Sequence, residues 1–215
     1  MKRYLLINAS PRTKGTSAML AGMLESHLKS QGHAVSLLAL YPHLNRMEAL
    51  SDAFRDADVL VVLGPCYVNT FPADTYALLE ALAAHAEAHR GQKVYGVIQG
   101  GMPYAHTHRC GLEALRLFAK SCGLAYGGGF VMGLGAMLNG QGLDRLPNGK
   151  KVKKQLDVFF DHVARGEDSP DLVYEKALLR LPSLAWRFMA RWANASIDKN
   201  QKAHGIDPGQ PSPYL

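Results

Sequence analysis

Cysteine, acidic residues and long apolar runs are scarce in this 215-residue chain. Its three cysteines, Cys66, Cys110 and Cys122, are an odd number at wide spacing, which excludes a disulfide framework and a four-cysteine metal centre. A reducing, cytoplasmic setting is expected. No apolar run approaches the ~18 residues a membrane helix requires, so no integral membrane segment is expected. Met1-Lys2-Arg3 is followed only by Tyr4 to Ile7 before the polar Asn8, too short for the apolar core of a secretory leader. Eighteen Asp and Glu oppose 24 Lys and Arg, a net charge of +6 that suits anionic small ligands as well as nucleic acid. Two nucleotide signatures are also missing. No G-x-G-x-x-G follows the first apolar segment, and Lys14 precedes Gly15 where a Walker loop needs the reverse order. Gly133-Leu134-Gly135 comes nearest, with Leu138 at the third glycine position.

What is present is enough for a core, since 47% of residues are hydrophobic and 20% charged. Short apolar segments at Tyr4–Ala9, Ala34–Ala39, Asp58–Gly64 and Lys93–Gln99 read as strands, with Phe130–Gly133 a weaker fifth. Val59 to Leu63 is apolar without alternation, the pattern of a strand covered on both faces. Helical spacing follows the first, third and fourth segments (Leu20, Leu24, Leu28; Leu78, Leu82; Leu112, Leu115, Phe118), and Val152–Val163 is a further helix. Strand and helix in alternation imply a parallel sheet between helices. Residues 134–150 read as a loop. Gly166 to Pro170 reads as a break between residues 1–165 and a tail, 166–215. In the tail, Leu181, Ala185, Phe188 and Trp192 form one helical stripe with Arg187, Arg191 and Asn194 opposite, and Gly205–Leu215 is extended. Such a stripe could dock on the sheet domain, join a partner subunit or lie on an anionic membrane; packing within the protein or a dimer is the expectation.

Open α/β sheets bind ligands beyond the carboxyl ends of their strands. The loop after the first strand, Ser10 to Ser17, brings hydroxyls, Arg12, Lys14 and Gly15 to a helix N-terminus, where unpaired N–H groups attract phosphate. The plain alternative is that Thr16 or Ser17 merely caps the helix. After the third strand, Gly64 to Pro72 is stiffened by two prolines and holds two aromatics, Tyr67 and Phe71, able to flank a flat ring, and Asn69, which offers both donor and acceptor groups. After the fourth, Gly100-Gly101-Met102-Pro103-Tyr104 leaves backbone open to a ligand. Each loop alone could be an ordinary turn, but together they point to a phosphorylated planar cofactor, most simply FMN.

The set Asn8-Ala9-Ser10-Pro11-Arg12…Gly15-Thr16-Ser17, then Gly64-Pro65-Cys66-Tyr67, then Gly100-Gly101, resembles the flavodoxin-like NAD(P)H-dependent FMN reductases and quinone reductases over about residues 3–165. Their first loop commonly reads G-S-P-R-x-x-G-N-T/S; here Ala9 replaces the leading glycine and Thr16 the asparagine. The resemblance implies a flavodoxin-like doubly wound five-stranded parallel sheet in the order 2-1-3-4-5, with a C-terminal helical tail beyond it. It also implies FMN as cofactor, NADPH or NADH as co-substrate, a small-molecule electron acceptor and a homodimer. By position, Ser10, Arg12, Thr16, Ser17 and Ala18 would hold the phosphate. Pro65, Cys66, Tyr67, Val68 and Asn69 would line the ring near N5, and Gly100, Gly101, Met102 and Tyr104 its pyrimidine side. The flavin then does the chemistry, and no side chain is assigned as catalytic.

Other residues have blander readings. His85/His89 and His106/His108 lack a third ligand, so no metal is expected, although His106 or His108 could donate a proton. Cys66 has no neighbouring base and reads as apolar filler rather than a redox thiol. Lys150-Lys151-Val152-Lys153-Lys154 could attract the extra phosphate of NADPH but reads as a solvated helix start; without interleaved aromatics it gives no support to nucleic-acid binding. Two other roles compete with the reductase: an electron carrier of flavodoxin type, and a cofactor-free scaffold.

Overall fold

The computed structural model describes residues 1–180, 182–207 and 209. Leu181 of the expected stripe and most of the expected extended end, Pro213 and Tyr214 included, lie outside the described residues.

Five strands, β1 (Arg3–Asn8), β2 (Ala34–Ala39), β3 (Val59–Pro65), β4 (Lys93–Gln99) and β5 (Ala125–Met132), form one parallel sheet in the order β2-β1-β3-β4-β5. Every residue of β3 is buried, which is what its unbroken apolar run requires of a central strand. Among the described residues seven α-helices accompany the strands: α1 (Thr16–Ser30), α2 (Met47–Asp56), α3 (Ala73–Ala83), α4 (Arg109–Ser121), α5 (Gly149–Arg165), α6 (Leu172–Glu175) and α7 (Ser183–Ala203). The chain winds outward from β1 in one direction to β2, then in the other through β3, β4 and β5. A crevice therefore opens between the carboxyl ends of β1 and β3.

Three elements depart from the sequence expectation. Helix α2 went unassigned, although Leu50 and Phe54, one turn apart, point its buried side to the core. Strand β5 begins five residues earlier than its apolar run because Gly127-Gly128-Gly129 masks it. Gly128 has φ +101°, and a Cβ there would lie 2.4 Å from the Ser169 carbonyl oxygen. The 134–150 loop holds two single helical turns, Gly135–Leu138 and Leu143–Arg145.

Contacts divide the chain into Met1–Leu179 and Arg180–Leu215. Residues 166–179 belong to the first unit: Val173, Tyr174 and Ala177 are buried, and the Ser169 N–H donates to the Gly127 carbonyl at 2.8 Å. Carbonyls at the end of α5 and just beyond are met by donors from the sheet. The Tyr4 hydroxyl lies 3.0 and 2.9 Å from the Val163 and Ala164 oxygens, Lys93 Nζ donates to Gly166 and the Tyr95 hydroxyl to Glu167. Burial pushes the Tyr4 hydroxyl up to about 12, so it stays a donor at neutral pH. The second unit is essentially α7. None of the described residues of that helix is buried.

Candidate functional site

The first loop is wound by its own side chains. Asn8 Oδ1 accepts from the Ser10 N–H at 3.2 Å, and Ser10 Oγ from the Arg12 N–H at 3.2 Å. This coil delivers Gly15 to the N-cap of α1, with no side-chain cap and no acid in the first turn. The N–H groups of Thr16, Ser17 and Ala18 consequently find no acceptor among the described residues. The Arg12 guanidinium, exposed above them, lies 3.5 Å from Asn139 Oδ1. Open donors, a helix dipole and a cation are a set that could hold an anion.

One expected contact is corrected. The Thr16 hydroxyl donates to the Gly135 carbonyl at 2.9 Å and accepts from the Gly140 N–H at 3.2 Å. Its single proton is spent, so only the Thr16 backbone N–H is left to meet a phosphate. The hydroxyl instead ties the segment after β5 to the first loop. That segment approaches closely: a Cβ on Gly140, whose φ is +83°, would lie 2.2 Å from the Lys14 oxygen. Ser17 Oγ is buried and accepts from Gln99 Nε2 at 3.2 Å.

The loop after β3 turns sharply. Tyr67 and Thr70 exchange backbone hydrogen bonds across Val68 and Asn69, both at positive φ (49° and 70°). Valine is β-branched and rarely adopts that conformation, so the exposed tip is strained. Cys66 is half-buried and donates to the Thr107 carbonyl at 3.3 Å; burial pushes its thiol up, consistent with filler rather than nucleophile.

After β4, the two glycines differ in purpose. A Cβ on Gly101 would meet nothing closer than 3.8 Å, whereas one on Gly100 would lie 2.5 Å from His108 Nε2 and 3.0 Å from Cys66 Cβ. Gly100 makes room for His108, not for a ligand side. His108 is 1% exposed, with Nδ1 2.9 Å from the Tyr104 carbonyl. Burial, with His106 adding to it, lowers its pKa against the effect of that hydrogen bond, so the ring is neutral and clips the loop shut. His106 is exposed and stacks on Tyr104, with ring centroids 5.4 Å apart.

Of the expected residues, Ser10, Arg12, Thr16, Pro65, Cys66, Tyr67, Gly100 and Gly101 line one cleft of about 130 Å³. Ser17 and Ala18 contribute N–H groups at the start of α1, while Val68, Asn69, Met102 and Tyr104 are exposed outside the cleft lining. Gly15 of the first loop also lines the cleft, and sequence reasoning missed Gln99, Ala136 and Asn139, which complete the lining. The last two follow β5, and the same rule that selected the other strand-end loops would have found them. Gln99 Oε1 is buried without a hydrogen-bond partner among the described residues. Lys150 to Lys154 begin α5 and are not part of the cleft; Lys153 pairs with Asp157 at 2.8 Å. Among the described residues no group of three or more His, Cys, Asp or Glu could hold a metal ion.

These features can be set beside known proteins. A family model described as flavodoxin-like fold matches residues 2–134, and the chain belongs to that family. No curated protein matches the sequence. Among solved structures, an NADH:FMN oxidoreductase in its apo form is 21% identical, with a TM-score of 0.63 over 81% of this chain and 94% of its own. An FMN-dependent NADH-azoreductase from Bacillus anthracis, in complex with FMN, is 14% identical, with a TM-score of 0.58 over 75% of this chain and 99% of its own. A flavodoxin from Streptococcus pneumonia is 17% identical, with a TM-score of 0.57 over 76% and 99%. At these identities the likeness is one of fold.

Proposed function

We propose that the chain is an FMN-dependent oxidoreductase that draws hydride from NADH or NADPH and delivers it to a small acceptor such as a quinone, a flavin or a nitro compound. The observation that carries this reading is the uncapped head of α1. Three open N–H groups stand there beside Arg12, with no carboxylate to compete for them. A monophosphate ester fits these donors, and the orphaned Gln99 Oε1 in the same cleft offers an acceptor to a hydroxylated chain. At about 130 Å³ the cleft is smaller than the 300–1,000 Å³ that enclose a whole drug-sized ligand. It suits the phosphate and chain, leaving the flat ring to the exposed rim of Tyr67, Val68, Met102 and Tyr104.

FMN, when bound, supplies the hydride chemistry, accepting from the nicotinamide and donating onward. This chain's part is to bind and orient. Arg12 and the α1 amides anchor the phosphate, His108 holds the loop from Gly100 to Tyr104, and the N–H groups around Asn69 and Gly101 stand ready to stabilise charge on the ring. A homodimer in a cytoplasmic setting belongs to the same reading. Steady-state oxidation of NADPH or NADH by the FMN-loaded protein with a quinone tests it. Turnover supports the reductase; a yellow protein that only exchanges electrons with a partner is a carrier, to which the +6 charge is ill suited if its partners carry the same sign.

A further inference from the structure

We infer that α7 is an interfacial helix whose partner is the surface of an anionic phospholipid bilayer. Leu184, Phe188 and Trp192 repeat every fourth residue and are 62%, 64% and 76% exposed. An apolar stripe of this size along one helix marks an interaction surface. Arg187 and Arg191 flank this stripe rather than lying opposite it as the sequence reading expected, and from Arg180 to His204 five Lys and Arg accompany a single carboxylate, Asp198. Arginine stems can lie along the apolar stripe while their guanidinium groups reach lipid phosphates, and tryptophan prefers the boundary between hydrocarbon and water. The charge selects the occupant. Residues 1–179 are themselves net basic, with 19 Lys and Arg against 16 Asp and Glu, so the chain offers this cationic helix no net opposite charge, whereas an anionic bilayer does. No described helix is long and apolar enough to cross a membrane, so α7 would lie in the surface rather than span it.

The test is flotation of the full chain with vesicles of phosphatidylcholine alone or with about one-third phosphatidylglycerol. Both tryptophans of the chain lie in α7, so indole emission reports this helix alone. The full chain should float with the anionic vesicles, shift its emission to the blue, and be released by high salt. Reversing two charges, R187E with R191E, should lower the partition more than about tenfold while FMN binding is unchanged. Failure to float with anionic vesicles overturns the inference, as does equal flotation with neutral ones. It is overturned too if the lipid-free protein already shows blue-shifted emission and W192S splits it from two copies into one, which would give the stripe to a second copy.

Discussion

Thr16 shows how a residue type can announce a site and its side chain still serve another purpose. Its hydroxyl spans the Gly135 carbonyl and the Gly140 N–H, holding two loops in one wall of the cleft. T16V should therefore lower stability by about 1–3 kcal/mol in denaturant titrations and weaken FMN binding indirectly. R12A removes a charged donor and should cost about 1.5–3 kcal/mol of FMN affinity with little change in stability, measured by fluorescence quenching of the flavin. His108 makes a prediction in pH. Its pKa in the fold lies below the ordinary 6.5, so on acidification the unfolded chain takes up the proton first. The stability it confers is present above pH 6.5 and declines as the pH falls from there towards the lowered value. H108N keeps a donor near the Nδ1 position without a titrating ring, and should flatten that part of the Tm-against-pH curve. The residue types of this site were legible from Ser10 to Ser17 because hydroxyls, cations and glycine crowd one short loop. The roles of Gly100, which spares His108, and of Gln99, which is an ordinary strand-end residue in the sequence, arise only from packing across elements.

At the scale of elements, the strands read best where burial on both faces demands uninterrupted apolar residues, as in β3, and worst where glycine replaces side chains, as in β5. Three consecutive glycines look like a loop, yet Gly128 admits the Ser169 backbone against the sheet edge, and Gly127 and Gly129 spare Tyr95 and Leu112. The same packing hides the end of the first unit. Gly166 to Pro170 has the composition of a linker, but Tyr95, Lys93 and Gly127 each bond to that stretch or just before it, and Tyr174 is buried beyond it. A chain ending at Leu179 keeps these bonds and should therefore still unfold cooperatively. One ending at Arg165 loses the buried Val173 and Tyr174 and should be less stable by at least about 3 kcal/mol. Equal stability of the two truncations in urea would contradict this.

On the scale of the whole molecule, the parallel sheet followed from strand–helix alternation and its order from a family likeness, and both are present in the fold. The central claim is that this crevice receives FMN at the head of α1. Titration of the purified, cofactor-stripped protein with FMN, followed by flavin fluorescence and the visible spectrum, tests it most directly. The account predicts saturable binding of one FMN per chain, with riboflavin, which lacks the phosphate, and the R12A variant each binding at least tenfold more weakly. Equal affinity for riboflavin and FMN, or no binding of either, would contradict it.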